Sequence, residues 1–235
     1  MTFIPAYCTP LDASWPFPVR LSDVALYSVG FDPTRLVDSD FMNSGIEPPP
    51  TLQRAVPKRR SEFLAGRLCA RTALHALTGE PHVPEIGEDR APRWPRGTCG
   101  SITHSAGWAA ALAARTKHWQ SIGMDTEILL SSERSLRLTD EILTPSEKTL
   151  QHEASDPYWV TLAFSLKESL FKALYPLTGV RFYFQDAEII HWTPDGVARL
   201  RLRTSLSTQW SAGCELEAWH VLQDNRIISL IAVPA

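Results

Sequence analysis

The sequence predicts a mixed helix-and-strand chain in two halves of similar build, meeting near residue 118. Three observations carry this. Residues 58–77 and a segment opening at Asp156-Pro157 both place apolar side chains at helical spacing. From Arg181 onward the pattern is that of strands. The two helical segments also echo each other at an offset of 100 residues. LAGRLCARTALHALTG (64–79) lies over FSLKESLFKALYPLTG (164–179), sharing Ala73/Ala173, Leu74/Leu174, Leu77/Leu177, Thr78/Thr178 and Gly79/Gly179, with Arg67 meeting Lys167.

In chain order, the first 20 residues are rich in proline and aromatics and read as an irregular arm. Residues 24–30 alternate as a strand, and 32–50 carry turn formers ending in Pro48-Pro49-Pro50. The helix over 58–77 has Phe63, Leu64, Leu68, Leu74 and Leu77 on its apolar side and a stop at Thr78-Gly79. Residues 80–100, with four prolines, read as loop. Residues 101–114 form two apolar stretches split at Ser105-Ala106-Gly107, which fits a hairpin. A strand over 121–129 precedes one or two helices between about 133 and 152. Asp156 can cap the next helix and Pro157 suits its first turn; it runs to about Leu177. Strands follow at 181–190, 197–204, 215–222 and 226–233, with Asp195-Gly196 and Asp224-Asn225 as turns.

The chain has 235 residues and a net charge of −3, too small for a protein that grips nucleic acid by its overall field. Four cysteines (8, 69, 99 and 214) show neither a CxxC pair nor regular spacing, so neither structural zinc nor a disulfide framework is expected. The N-terminus lacks a basic segment followed by an apolar core, and no apolar run approaches the length of a membrane span. A cytoplasmic protein with no membrane partner is expected.

Four segments carry chemistry. In Ile122-Gly123-Met124-Asp125-Thr126-Glu127, a strand would project Asp125 and Glu127 from one face. Adjacent carboxylates repel unless a cation sits between them, and a hard divalent ion does this well; a strand end with its acids in water has the same spelling. In Lys167-Glu168-Ser169-Leu170-Phe171-Lys172, Glu168 and Lys172 are one helical turn apart, as a catalytic pair or a surface ion pair would be. Gly100-Ser101-Ile102-Thr103-His104-Ser105 suits a strand edge that approaches a phosphate, although a lone histidine is often structural. Lys58-Arg59-Arg60 opens a helix that carries Arg67 two turns on, a favourable place for phosphate or a solvated charge run; Arg90 adds a weaker cation. Together they describe carboxylates for a metal, cations for phosphates, a histidine, and a lysine beside a glutamate. Metal-assisted transfer at a pyrophosphate uses this combination.

These motifs resemble the phosphopantetheinyl transferase superfamily of the surfactin-synthetase type, and most closely its enterobactin-synthetase branch. The family pattern is Gly-x-Asp-x-Glu on a strand and, about 40 residues on, Lys-Glu-Ser/Ala-x-x-Lys on a helix; here these are Gly123/Asp125/Glu127 and Lys167–Lys172. Lys58-Arg59-Arg60-Ser61-Glu62-Phe63-Leu64-Ala65-Gly66-Arg67, Pro92-Arg93-Trp94-Pro95 and the 100–105 block match the branch in order over residues 57–178. Met124 replaces the usual Ile or Val, and Phe164 stands where surfactin-type enzymes often carry Trp.

The resemblance implies an α+β fold of two similar halves, 1–118 and 119–235, related by a pseudo-twofold with coenzyme A in the cleft. It implies transfer of phosphopantetheine to a serine of an apo acyl, peptidyl or aryl carrier protein, with release of 3′,5′-ADP. Mg²⁺, with Mn²⁺ as a substitute, would be held by Asp125, Glu127 and Glu168. Glu168, directly or through a water, would be the general base, and Lys172 would neutralise the leaving phosphate. Arg59, Arg67, Arg90 and His104 would bind the 3′-phosphate or pyrophosphate, with Lys167 a further contact. A monomer holding its whole site is expected. Two other readings use the same residues: a metal-dependent phosphohydrolase or nuclease acting on water, and a coenzyme A-binding accessory module without turnover.

Overall fold

The computed structural model describes residues 3–150 and 153–235. The chain divides into two compact units, one formed by residues up to Trp15 with Leu21–His118, the other by Pro16–Arg20 with Trp119–Ala235. The short stretch Pro16–Arg20 therefore belongs with the second unit, whereas the sequence places it in the first half.

In the first unit, strand β1 (Val24–Gly30) is followed by the short helix α1 (Ser39–Ser44) and the long helix α2 (Pro57–Thr78). Two two-residue strands, β2 (Glu85–Ile86) and β3 (Pro92–Arg93), pair across a turn within the stretch expected to be loop. Strands β4 (Thr98–Ser105) and β5 (Trp108–Arg115) make the expected hairpin, whose turn holds Ala106 and Gly107 at positive φ. The antiparallel sheet has the order β1-β5-β4. Helix α2 packs on it through small residues. Ala65, Cys69, Ala70 and Ala73 are fully buried, and so are Ala109, Ala111 and Ala113, which alternate along β5 and share one face. The arm at the N-terminus is tied down by single bridges from Asp12 to Ser28 in β1 and from Cys8 to Phe31 just beyond it.

In the second unit, β6 (Trp119–Ile128) leads to α3 (Ser132–Ile142), α4 (Pro157–Thr178), β7 (Ala187–Trp192), β8 (Val197–Leu202), β9 (Glu215–Gln223) and β10 (Arg226–Pro234). The five strands form an antiparallel sheet in the order β6-β10-β9-β8-β7, and α4 packs against β6 and β10 over the main hydrophobic core. Helical structure after Glu133 ends earlier than expected: α3 stops at Ile142, one 3₁₀ turn spans Glu147–Thr149, and residues 151–152 lie outside the described residues. The strand expected from 181 begins only at Ala187. Asp186 takes the Tyr183 N–H on its side chain at 2.8 Å and donates its own N–H back to the Tyr183 carbonyl, which closes a 3₁₀ turn there.

The echo in sequence has a physical counterpart. Helices α2 and α4 are each 22 residues long, each begins with proline, and each ends at a left-handed glycine, Gly79 (φ 84°) and Gly179 (φ 66°). Thr78 and Thr178 close the last turns alike, donating to Leu74 O at 2.7 Å and Leu174 O at 3.0 Å. Proline without an N–H fits where the helix has no acceptor to offer it, and glycine fits where φ must turn positive.

Candidate active site

Strand β6 presents its acids to α4. A methyl group at Gly123 would overlap the Ser169 carbonyl oxygen and stand 2.6 Å from the Ala173 nitrogen, so the helix backbone lies directly on this strand at the glycine. Asp125, two residues on, shares that face and accepts from Lys172 Nζ at 2.7 Å on Oδ1; the same ammonium donates to Met124 O at 3.2 Å. Asp125 is 5% exposed, whereas Glu127, Glu168 and Lys172 are half-buried. The helix is held at this height by hydroxyls. Ser229 on β10, paired opposite Asp125, meets Ser165 Oγ at 2.7 Å and Ser169 Oγ at 2.8 Å. Gly123→Ala is expected to cost about 1–3 kcal/mol or more by forcing α4 away, and to lower activity with it; a thermal melt equal to that of the parent would contradict the close approach.

The acids are more numerous than the cation beside them. Burial, then the Asp125 carboxylate and to a lesser extent Glu168, pushes the Glu127 carboxyl up to about 7, against Lys172 and Arg134. Burial and Asp125 likewise raise Glu168, again opposed by Lys172. Three mutually repelling carboxyls around one ammonium suit a hard divalent cation, which would offset their repulsion. Among the described residues no three His, Cys, Asp or Glu side chains are already drawn into a metal cage, so the fit lies in donor chemistry and charge.

The first unit carries a separate cluster. Ile102 on β4 packs on α2 at Gly66, where a methyl group would stand 2.8 Å from the isoleucine. One turn back along the helix advances about 6 Å, and two residues along a strand about 6.6 Å, so the next facing pair is Glu62 with His104. Glu62 Oε2 lies 3.7 Å from His104 Nδ1 and 3.9 Å from Arg59 Nη1, and Arg59 Nη1 is 3.3 Å from His104 Nε2. Arg67, two turns beyond Arg59, is 7% exposed, lies 5.1 Å over the Phe63 ring, and has been pushed down to about 10 by burial. It remains charged at neutral pH, its buried Nε has no hydrogen-bond partner among the described residues, and no carboxylate there stands in ion-pair range. Arg60 is diverted to Asp38 at 2.6 Å. Arg90 is exposed at a positive-φ turn between β2 and β3.

Lys167 must be removed from the phosphate-binding set. Its ammonium is turned inward, donating to Ile142 O at 2.7 Å, Glu147 Oε2 at 2.7 Å and Phe184 O at 2.9 Å, with 2% of the side chain exposed. All three N–H groups are used, so none remains for a ligand. Burial lowers the Lys167 ammonium while Glu147 opposes that shift. Glu147, fully buried, also accepts from the Thr144 and Ile189 backbone N–H groups at 2.7 Å each. Sequence reasoning gave no role to Glu147, Ser229 or Glu62; only Glu62 lies inside a segment that had drawn attention.

Comparison with known proteins follows the same division of the chain. The family model for the 4′-phosphopantetheinyl transferase N-terminal domain matches residues 47–114, and that for the 4′-phosphopantetheinyl transferase superfamily matches residues 121–230. Enterobactin synthase component D of Escherichia coli O157:H7 is 37% identical over 187 residues, covering 79% of this chain and 86% of that protein. The 4′-phosphopantetheinyl transferase PptT of Mycobacterium tuberculosis is 33% identical over 70% of this chain and 79% of its own. With the 4′-phosphopantetheinyl transferase Svp of Streptomyces mobaraensis the identity is 43%, over 58% of this chain and only 56% of Svp. A strand whose glycine admits the helix and whose acids meet its Glu-x-x-x-Lys side chains, together with relatives matched over most of their length, assigns the chain to the 4′-phosphopantetheinyl transferase superfamily.

Proposed function

We propose that this protein moves the 4′-phosphopantetheine arm of coenzyme A onto a serine of an apo carrier protein, in the cytoplasm and as a monomer. The observation that carries the reading is Asp125, set beside Glu127 on β6 and paired with Lys172, one turn after Glu168 on α4. Family membership and the names of the relatives support the same reaction.

The carrier serine oxygen attacks the β-phosphorus of coenzyme A and the bond to the α,β-bridging oxygen breaks, so 3′,5′-ADP leaves with the electron pair. Glu168, raised by burial and by Asp125, is suited to take the serine proton, directly or through a water. Lys172 offsets charge on the leaving phosphate. Mg²⁺, or Mn²⁺ in its place, would be held by Asp125, Glu127 and Glu168 and when bound supplies charge withdrawal at the β-phosphate. Arg59, Arg67 and His104 of the first unit then serve the 3′-phosphate, with Arg90 an outlying addition. Arg67 supports this assignment, because a buried guanidinium without a carboxylate partner is suited to an anion from outside.

Intact-mass spectrometry of an apo carrier protein mixed with this protein, coenzyme A and Mg²⁺, with and without EDTA, tests the reaction. A chelator-sensitive gain of one phosphopantetheine arm supports it. Coenzyme A cleaved without carrier modification would point to a hydrolase, and intact coenzyme A with several carriers would point to a binding module. Arg59 is exposed, so Arg59→Ala should fold normally while raising the KM for coenzyme A about tenfold or more through a lost charged hydrogen bond. An unchanged KM would remove Arg59 from the site.

A further inference from the structure

Glu62 is a carboxylate placed among the cations assigned to the 3′-phosphate, with 11% of its side chain exposed. There it repels the anion to be bound, and the His104 ring supplies a chemical reason for its presence. A guanidinium donates and never accepts, so the approach of Arg59 Nη1 to His104 Nε2 at 3.3 Å requires a lone pair on Nε2. The neutral ring therefore carries its proton on Nδ1, the nitrogen 3.7 Å from Glu62 Oε2. A dianionic phosphate oxygen cannot donate to Nε2. With Nδ1 protonated towards Glu62, the ring can donate to that oxygen from Nε2 only as the imidazolium, once Arg59 has turned from the imidazole to the phosphate.

We propose that binding of the coenzyme A 3′-phosphate is coupled to uptake of one proton at His104 Nε2, and that Glu62, whose carboxylate faces Nδ1 at 3.7 Å, is the positioning residue that stabilises the imidazolium. This rests on the assignment of Arg59 and His104 to that phosphate. The charged groups facing the ring from α2 are Arg59 and Glu62; β5 sets Ala109 opposite His104 and offers no charged side chain before Arg115. In the free protein Arg59 disfavours a second positive charge on the ring. An arriving phosphate dianion draws that guanidinium to itself and, with Glu62, favours the charged ring from both sides. The outcome is a site that distinguishes a phosphate monoester dianion from a neutral or singly charged group.

Titration calorimetry on the full chain at about pH 8, in two buffers of different ionisation enthalpy, counts the protons. A phosphate monoester is already dianionic there, and a free histidine is neutral, so uptake reports the protein. Coenzyme A should bind with uptake approaching about one proton, and 3′-dephospho-coenzyme A with much less. Glu62→Gln, which keeps the size and leaves an acceptor, should weaken coenzyme A binding about tenfold, the equivalent of about one pKa unit, and reduce the uptake. Its affinity for 3′-dephospho-coenzyme A should match that of the parent. Buffer-independent heats in the parent, or equal or tighter coenzyme A binding by Glu62→Gln, would overturn the proposal while leaving the phosphate assignment standing. Equal binding of the two coenzymes by the parent would overturn that assignment and the proposal with it.

Discussion

Asp125→Asn is expected to lower phosphopantetheine transfer by about 10³-fold or more while the protein melts within a few degrees of the parent. In the proposed reaction several kcal/mol of charge stabilisation would come from a cation held by three carboxyls, and each 1.36 kcal/mol is a factor of ten in rate. Asp125 is the member whose charge the others feel: it raises both Glu127 and Glu168, and it holds Lys172 Nζ at 2.7 Å. Asparagine keeps the volume and an oxygen for the ammonium but removes the charge that draws a divalent ion. The cost to folding is small for two reasons. With 27% of its side chain exposed, Lys172 can be hydrated when its partner is neutral, and removing one of three repelling acids relieves the other two.

The experiment therefore has a readout beside activity. Mg²⁺ should raise the melting temperature of the parent and leave that of Asp125→Asn nearly where it was, since a ligand stabilises only the form that binds it. A variant retaining activity within tenfold of the parent would sink the assignment of this carboxylate. An Asp125→Asn protein that lost activity only because it no longer folded would show it in the melt.

The parts of the site legible in sequence depend on short-range periodicity. Asp125 and Glu127 share a face because a strand alternates, and Glu168 meets Lys172 because a helix turns every 3.6 residues. Both long helices announce themselves by proline at the start and Thr-Gly at the end. What was hidden depends on partners distant in the chain. Ser229 holds Ser165 and Ser169 across 60 or more residues, and Glu62 acquires its meaning from His104, 42 positions on. The requirement for glycine at 123 lies in the Ser169 backbone, which no local pattern names. The 3₁₀ turn at Phe184–Asp186 cut short a predicted strand because one side-chain cap outweighed a β-rich composition.

Lys167 shows how a motif can mislead at a single position, and it yields the largest expected effect on stability. Adjacent helical residues point about 100° apart, so a lysine next to Glu168 need not serve the same face. Here it turns into the core and ties α4 to the carbonyls of Ile142 and Phe184 and to Glu147. Lys167→Met should cost about 3–5 kcal/mol, because it leaves the Glu147 charge buried without its cation and two carbonyls without a donor. For a chain of this length that is a fall of roughly 10 °C in Tm. The double variant Lys167→Met/Glu147→Gln should recover part of the loss, since glutamine can still accept a backbone N–H without a buried charge. The coenzyme A KM of folded Lys167→Met, measured well below its melting temperature, should stay close to the parent value. A variant that melted like the parent and bound coenzyme A poorly would return Lys167 to the phosphate. The expected result, an unstable protein with an ordinary KM, would show that the first lysine of the motif sets the pose of α4 so that Lys172 can meet Asp125.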